Sequence, residues 1–120
     1  MTKIKANVII TSPEEKIEYQ VDASINEEEN TIIYYEKDSE KTKVKYDYEK
    51  KILIRENKNL SMKYYFDLNN ETQAEVMIKD LNKRIVLPIN TIDIIRNFWN
   101  VLIKYQIERQ NFEYKIEVIE

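Results

Sequence analysis

The chain of 120 residues contains no cysteine, no histidine and no glycine. Without cysteine it has no thiolate nucleophile, no disulfide and no thiolate metal site. Without histidine it lacks the commonest metal ligand and the side chain that titrates nearest to neutral pH. Without glycine, phosphate-cradling loops, the dinucleotide fingerprint and the nucleophile elbow are excluded in their usual forms. We therefore expect a protein that is not an enzyme, with no catalytic residues, no metal site and no cofactor.

The chain also lacks long apolar runs and a surplus of basic residues. The apolar patch in MTKIKANVIITSPEE (1–15) is too short for a signal peptide, and a membrane helix needs about 20 apolar residues. The net charge of −3 argues against a nucleic-acid-binding protein, which usually has a basic excess. We expect a cytoplasmic protein that binds neither membrane nor nucleic acid.

What is present is an alternation of apolar and polar residues, which is typical of strands with one buried face. It is clearest in the segments 17–25, 42–48, 72–78 and 112–118. Polar breaks separate these and other apolar segments: NEEEN (26–30), KDSE (37–40), YEKK (48–51), ENKN (56–59), DLNN (67–70), DLNK (80–83) and ERQN (108–111). Asparagine is expected to take the positive-φ turn positions that glycine usually occupies. The pattern predicts one all-β domain over residues 1–120, built as a meander of short antiparallel strands.

The segment NTIDIIRNFWNVLIKYQIE (90–108) is compatible with two structures. Ile92, Ile95 and Trp99 have helical spacing, which favours a helix. The same residues can form two strands joined by RNFWN (96–100), and the many β-branched side chains favour strands. The residue pattern alone does not decide between them.

Several short motifs resemble those of a known family. They are IIYYE (32–36), TKVK (42–45), ILIR (52–55) and the spacing from Met62 to Phe66, with looser matches at INT (89–91), Tyr105 and NFEYKIEVIE (111–120). In these motifs the chain resembles the YwiB-like family of uncharacterised bacterial proteins, a domain of unknown function with a calycin-like, lipocalin-like β-barrel. The resemblance implies a small antiparallel barrel of about eight strands, and it favours two strands in residues 90–108. Asn57, Asn59 and Asn82 stand where the family typically has glycine, and Val76 where it usually has tyrosine.

Arg55 ends the apolar segment ILIR and is the first candidate for a binding residue. Its guanidinium could hold a carboxylate or phosphate at the barrel mouth. Alternatively, Arg55 pairs with a nearby glutamate or covers apolar surface with its stem. Other candidates match family positions, and the ligand-binding set is Arg55, Glu36, Thr42, Lys43, Met62 and Thr91.

Phe98 and Trp99 are adjacent aromatic residues within the polar segment RNFWN. They could form a lid over a barrel mouth or a partner-binding tip, or they could fold back and plug a barrel end. Tyrosines interleaved with lysines could also stack on single-stranded nucleic acid, but the acidic balance favours tyrosines that pack in the barrel.

Together these features predict a non-enzymatic barrel that binds a small apolar or amphipathic ligand. The alternative is a structural or protein–protein interaction module with a filled barrel, whose partner the sequence does not identify. The size of the cavity separates the two, because a void of about 300 Å³ or more with apolar walls supports ligand binding.

Overall fold

The computed structural model describes residues 1–119, which form ten β-strands and no helix. The strands are β1 (Thr2–Thr11), β2 (Lys16–Asn26), β3 (Thr31–Tyr35), β4 (Lys43–Asp47), β5 (Ile52–Glu56), β6 (Leu60–Tyr65), β7 (Thr72–Ile78), β8 (Lys83–Asn97), β9 (Asn100–Ile107) and β10 (Gln110–Val118). In this part of the chain no helix is long and apolar enough to cross a membrane.

The strands form a closed antiparallel barrel in which each strand pairs with its neighbours in the chain and β1 pairs with β10. The prediction of an all-β antiparallel barrel is confirmed, but the barrel has ten strands and not about eight. Part of the difference lies at the N terminus, where residues 2–11 form the strand that closes the barrel. Ala6 lies opposite Val118 and Thr11 lies opposite Glu113 across this seam. Closure pairs the backbone groups that a sheet edge would leave exposed.

The alternating apolar side chains fill the middle of the barrel. Ile32, Tyr34, Val44, Tyr46 and Ile103 are all fully buried on the inner face. Ten strands enclose more space than eight, and the large tyrosine rings occupy it. The centre of the barrel is therefore a packed core.

Two tyrosine hydroxyls lie in this core and form a hydrogen bond with each other. The hydroxyl oxygens of Tyr34 and Tyr114 are 2.6 Å apart, in a hydrogen bond between β3 and β10. Burial raises the pKa of both hydroxyls well above the ordinary value for tyrosine. Because a buried hydroxyl without a partner is costly, this bond offsets the cost of burying the Tyr34 and Tyr114 hydroxyls.

Residues 90–108 form two strands, so the helical interpretation of this segment is wrong. β8 continues to Asn97 and β9 begins at Asn100, which leaves a two-residue turn where the five-residue loop RNFWN was predicted. A β-bulge between Thr91 and Asp93 places Ile92 outside the regular ladder. Alternate burial of the β-branched side chains in β9 stabilises strands here and outweighs the helical spacing.

β8 is the longest strand because its two halves pair with different neighbours. Residues 83–89 pair with β7, and residues 90–97 pair with β9. Pro88 lies in the first half, opposite Gln73. Pairing with β9 begins only at Asn90, so Pro88 has no partner residue in β9. The N–H that proline lacks is therefore not needed for a hydrogen bond to that strand.

The turns use asparagine less than expected. Asn30 and Asn82 have positive φ, as predicted, but Asn57 does not. Asn57 instead accepts hydrogen bonds through its side-chain oxygen, from the N–H of Asn59 at 2.8 Å and of Leu60 at 2.9 Å. The positive-φ residues within 1–119 are Asn30, Lys41, Lys51, Asn82, Phe98, Glu108 and Arg109.

The turn between β9 and β10 offers a test of the cost of building a barrel without glycine. Glu108 and Arg109 have φ values of 54° and 66°, between the paired residues Ile107 and Gln110. Two positive φ angles fit a type I′ turn, which prefers Asn-Gly. We expect the double variant Glu108→Asn/Arg109→Gly to raise the free energy of unfolding by about 1–2 kcal/mol, measured by urea denaturation.

The matched control is Glu49→Asn/Lys50→Gly in the turn between β4 and β5. Neither residue is among those with positive φ, so glycine relieves nothing there. An equal gain in both double variants would contradict the assigned turn geometry.

Candidate mouth cleft

The two ends of the barrel differ. Because the chain reverses at every turn, the turns after odd-numbered strands lie at one end, which we call the mouth end. The turns after even-numbered strands lie at the other, which we call the plugged end. The mouth end carries an open cleft of about 370 Å³, here called the mouth cleft. Its lining residues are Ile10, Ile17, Tyr19, Glu36, Lys37, Asp38 and Arg55.

Arg55 provides the polar side of the mouth cleft. It lies on β5 between Val44 of β4 and Met62 of β6. Its Nη2 donates to Glu36 Oε1 at 2.7 Å, and the Tyr19 hydroxyl donates to Glu36 Oε2 at 3.1 Å. Its Nη1 contacts a weak acceptor, Met62 Sδ, at 3.9 Å, and the guanidinium also interacts with the Tyr64 hydroxyl and opposes the rise in the Tyr64 pKa that burial causes. Within residues 1–119 the buried Nε of Arg55 has no hydrogen-bond partner.

The ion pair is partly shielded from solvent, with 31% of the Arg55 side chain and 11% of the Glu36 side chain exposed. Burial disfavours the Arg55 cation, but the hydrogen bond and charge of Glu36 outweigh it, so the pKa of Arg55 lies above its ordinary value. Burial, together with the neighbouring Tyr34 and Glu36, raises the pKa of Tyr19. Arg55 therefore stays charged near neutral pH, and Tyr19 keeps its proton.

Local hydrogen bonds fix the turn that carries Glu36 and Asp38. The backbone N–H of Glu36 donates to the Thr42 carbonyl at 2.8 Å. Thr42 is buried, and its hydroxyl donates to Asp38 Oδ2 at 2.7 Å. The hydrogen bonds from Thr42 also lower the pKa of Asp38, which is therefore an anion near neutral pH. Thr42 holds the rim of the cleft in place but does not line it.

Two further candidate residues lie away from the cleft. Lys43 is exposed, opposite Tyr35 and Glu56 in the neighbouring strands. Thr91 is buried, and its hydroxyl accepts a hydrogen bond from the N–H of Asp67 at 3.1 Å, in the loop after β6. The structure thus brings together Arg55, Glu36 and Met62 and separates them from Lys43 and Thr91.

Several lining residues were not singled out from the sequence: Ile10, Ile17, Tyr19, Lys37 and Asp38. The alternation in residues 17–25 does place Ile17 and Tyr19 on the inner face of a strand. It does not show that Tyr19 lies level with Glu36, because that depends on the register between β2 and β3.

At the plugged end, Trp99 packs against the core while Phe98 projects into solvent with 84% of its surface exposed. The Trp99 ring meets the Tyr48 ring edge-on at 5.1 Å, and the Tyr48 hydroxyl donates to the Trp99 carbonyl at 2.7 Å. The Arg96 guanidinium lies 4.6 Å from the centre of the Tyr48 ring, in a cation–π contact. Phe98 and Trp99 are therefore at the end opposite Arg55 and do not cover the mouth cleft.

A second, larger depression of about 680 Å³ lies beside β1 and β2. Four of its six lining residues are charged or polar, namely Lys3, Lys5, Asp22 and Ser24, and the other two are Ile4 and Ala23. Such a surface suits solvent better than an amphipathic molecule, so we place the candidate site at the mouth cleft. Within residues 1–119, acidic residues do not come together in a group of three or more that could hold a metal ion.

Comparison with known proteins identifies the architecture. No family model matches the sequence, and no curated protein matches it. A crystal structure of the ywiB protein from Bacillus subtilis matches with a TM-score of 0.65 and 17% sequence identity. The chain has a YwiB-like fold. The YwiB likeness covers 98% of this chain and 91% of that one, so it extends over the whole barrel.

Proposed function

We propose that the chain is a cytoplasmic member of the YwiB-like family that binds a small amphipathic ligand in the mouth cleft and catalyses no reaction. The observation that carries the proposal is the cleft itself, which has about 370 Å³ of open space between apolar residues and the Arg55–Glu36 pair. Its volume and mixed lining are typical of small-molecule sites. The YwiB-like fold and the motifs between residues 32 and 66 support the family assignment, and with it the calycin-like classification.

The apolar part of the ligand would lie on Ile10, Ile17 and the Tyr19 ring. Ile17 is 43% exposed in the free protein, so a ligand that covers it removes apolar surface from water. Such burial contributes about 25 cal/mol for each Å². The polar part would lie at Arg55. Because the centre of the barrel is packed, the ligand stays at the mouth and does not enter the interior.

The chemistry of the cleft favours binding over catalysis. The pKa values of Arg55 and Tyr19 are both raised, so neither group exchanges a proton readily near neutral pH. The two carboxylate oxygens of Glu36 already accept hydrogen bonds from Arg55 and Tyr19. A general base would need a free oxygen that reaches the substrate.

The alternative function is a structural or protein-interaction module, and two observations favour it. The middle of the barrel is filled, and the turn between β8 and β9 exposes Phe98 almost completely. Ile95, near that turn, is 52% exposed. In this alternative a protein partner contacts the plugged end, and the mouth cleft contains only solvent.

Native mass spectrometry of protein purified from its own host tests the proposal. The variant Ile17→Arg places a charge in the apolar wall of the cleft, at a half-exposed position where the fold should tolerate it. We expect the unmodified protein to carry a small molecule and Ile17→Arg to lose it. The matched control is Ile95→Arg, which adds the same charge at a similarly exposed isoleucine outside the cleft and should retain the molecule.

Retention of the small molecule by Ile17→Arg would contradict the proposed site. A co-purifying protein that is lost in Ile95→Arg, with no small molecule in any sample, would support the alternative.

A further inference from the structure

Arg55 has hydrogen-bonding capacity that the protein does not use. Its Nη2 is paired with Glu36, whereas its Nη1 donates to the thioether of Met62 at 3.9 Å, and the Tyr64 hydroxyl also interacts with the guanidinium. Its Nε has no partner among residues 1–119. Thioether sulfur is a weak acceptor compared with a carbonyl or hydroxyl oxygen. A ligand oxygen near Nη1 would therefore replace a weak contact and would break no strong one.

The charges of the mouth cleft cancel. Its lining contains two acidic residues, Glu36 and Asp38, and two basic residues, Lys37 and Arg55. A carboxylate that approached Arg55 would also approach the Glu36 carboxylate, which lies 2.7 Å from Nη2. An ammonium group would approach Arg55 itself, and both oxygens of Glu36 are already occupied. A charged head group at Arg55 would therefore lose part of its hydration beside an ion pair that is already complete. Lys37 and Asp38, the other charged lining residues, are exposed, and pairing with an exposed charge contributes little.

Resting on the proposed function, we infer that the mouth cleft selects amphipathic ligands whose head group is uncharged and accepts a hydrogen bond, such as an amide or an alcohol. The head-group oxygen accepts from Arg55 Nη1. The apolar chain covers Ile10 and Ile17.

Isothermal titration calorimetry with octanamide, octanoate and octylammonium tests this inference, because the three share one apolar chain and differ in the head group. We expect octanamide to bind at least about tenfold more tightly than either charged compound, which corresponds to about 1.4 kcal/mol. The double variant Arg55→Met/Glu36→Gln removes the ion pair without leaving an unpaired charge, and circular dichroism checks that it folds. It should lose most of the advantage of octanamide over the charged compounds.

The outcomes separate this inference from the proposed function. If octanoate or octylammonium binds as tightly as octanamide or more tightly, and Ile17→Arg abolishes that binding, the head-group selection is wrong and the mouth cleft remains a ligand site. If the double variant keeps the full preference for octanamide, Arg55 is not the source of the selection. If none of the three compounds binds, both the inference and the proposed function are contradicted.

Discussion

Raising the pH from about 10 towards 12 is expected to unfold the protein cooperatively. The reason is the number of tyrosines in the interior. Five of them are buried: Tyr34, Tyr46, Tyr48, Tyr105 and Tyr114. Burial is the largest cause that raises the pKa of each above the ordinary value near 10.

The direction of the effect follows from proton binding. Above about pH 10 a tyrosine in the unfolded chain loses its proton, while a buried tyrosine in the folded chain keeps it. The unfolded state then binds fewer protons, so the free energy of unfolding falls as the pH rises. Each such tyrosine lowers the free energy of unfolding by about 1.4 kcal/mol per pH unit, so five together lower it by about 7 kcal/mol per pH unit. This is comparable to the whole stability of a domain, about 5–15 kcal/mol.

Circular dichroism and tyrosinate absorbance, both followed against pH, measure this transition. We expect the loss of strand signal and the rise of tyrosinate from the buried rings to coincide. The control is Tyr34→Phe/Tyr114→Phe, which removes two buried hydroxyls that bond to each other. As the pH rises, the free energy of unfolding of this variant should fall by about 3 kcal/mol per pH unit less than that of the unmodified protein. Complete tyrosine ionisation near pH 10 with an unchanged strand signal would contradict the packed interior.

The second large effect is expected for Ile103→Ala. Ile103 is 0% exposed and lies on the inner face of β9, between the buried residues Val101 and Tyr105. Truncation of a fully buried isoleucine typically costs about 2–5 kcal/mol of the free energy of unfolding, because it leaves a cavity. Urea denaturation measures this loss.

Ile95→Ala is the matched control for that variant. Ile95 is 52% exposed on β8 and pairs with Leu102. Its truncation should cost about 0.5 kcal/mol or less. The pair is informative because a helix over residues 90–108 would place Ile95 on its buried face. A larger loss for Ile95→Ala than for Ile103→Ala would therefore contradict the two-strand structure.

The sequence predicted the inner and outer faces of the strands well because that information is local. In residues 42–48 the alternate positions Thr42, Val44, Tyr46 and Tyr48 are all buried. The polar breaks likewise coincide with turns, since the chain must reverse where no apolar face continues. The strand number was less accurate because the figure of about eight came from the family resemblance; in β1 itself Ile4, Ala6 and Val8 alternate with Lys3, Lys5 and Asn7, and the strand pairs with β10 and β2.

The mouth cleft could be predicted only in part. The family resemblance pointed to Arg55 and Glu36, which form an ion pair across 19 positions of sequence. Tyr19 completes the group from another strand, and no local pattern shows that it lies at the same height in the barrel. The two-residue alternation shows on which side of the sheet a side chain lies. The height of that side chain along the barrel depends on the register of each pair of strands that separates it from its partner.

Turn geometry was the least predictable feature. Glu108 and Arg109 adopt positive φ although neither residue favours it, because the pairing of β9 with β10 imposes a two-residue turn. For Phe98 and Trp99, too, the sequence did not show which side chain would be buried. They are adjacent and aromatic, yet one is exposed and the other packs against Tyr48.

The most direct test of the proposed mouth site is methyl-detected NMR of the protein with octanamide bound. Intermolecular NOEs show which isoleucine methyl groups the ligand touches. We predict NOEs to Ile10 and Ile17, which line the mouth cleft, and none to Ile32 and Ile103, which are fully buried in the core. NOEs to the two core residues would place the ligand inside the barrel and contradict the account.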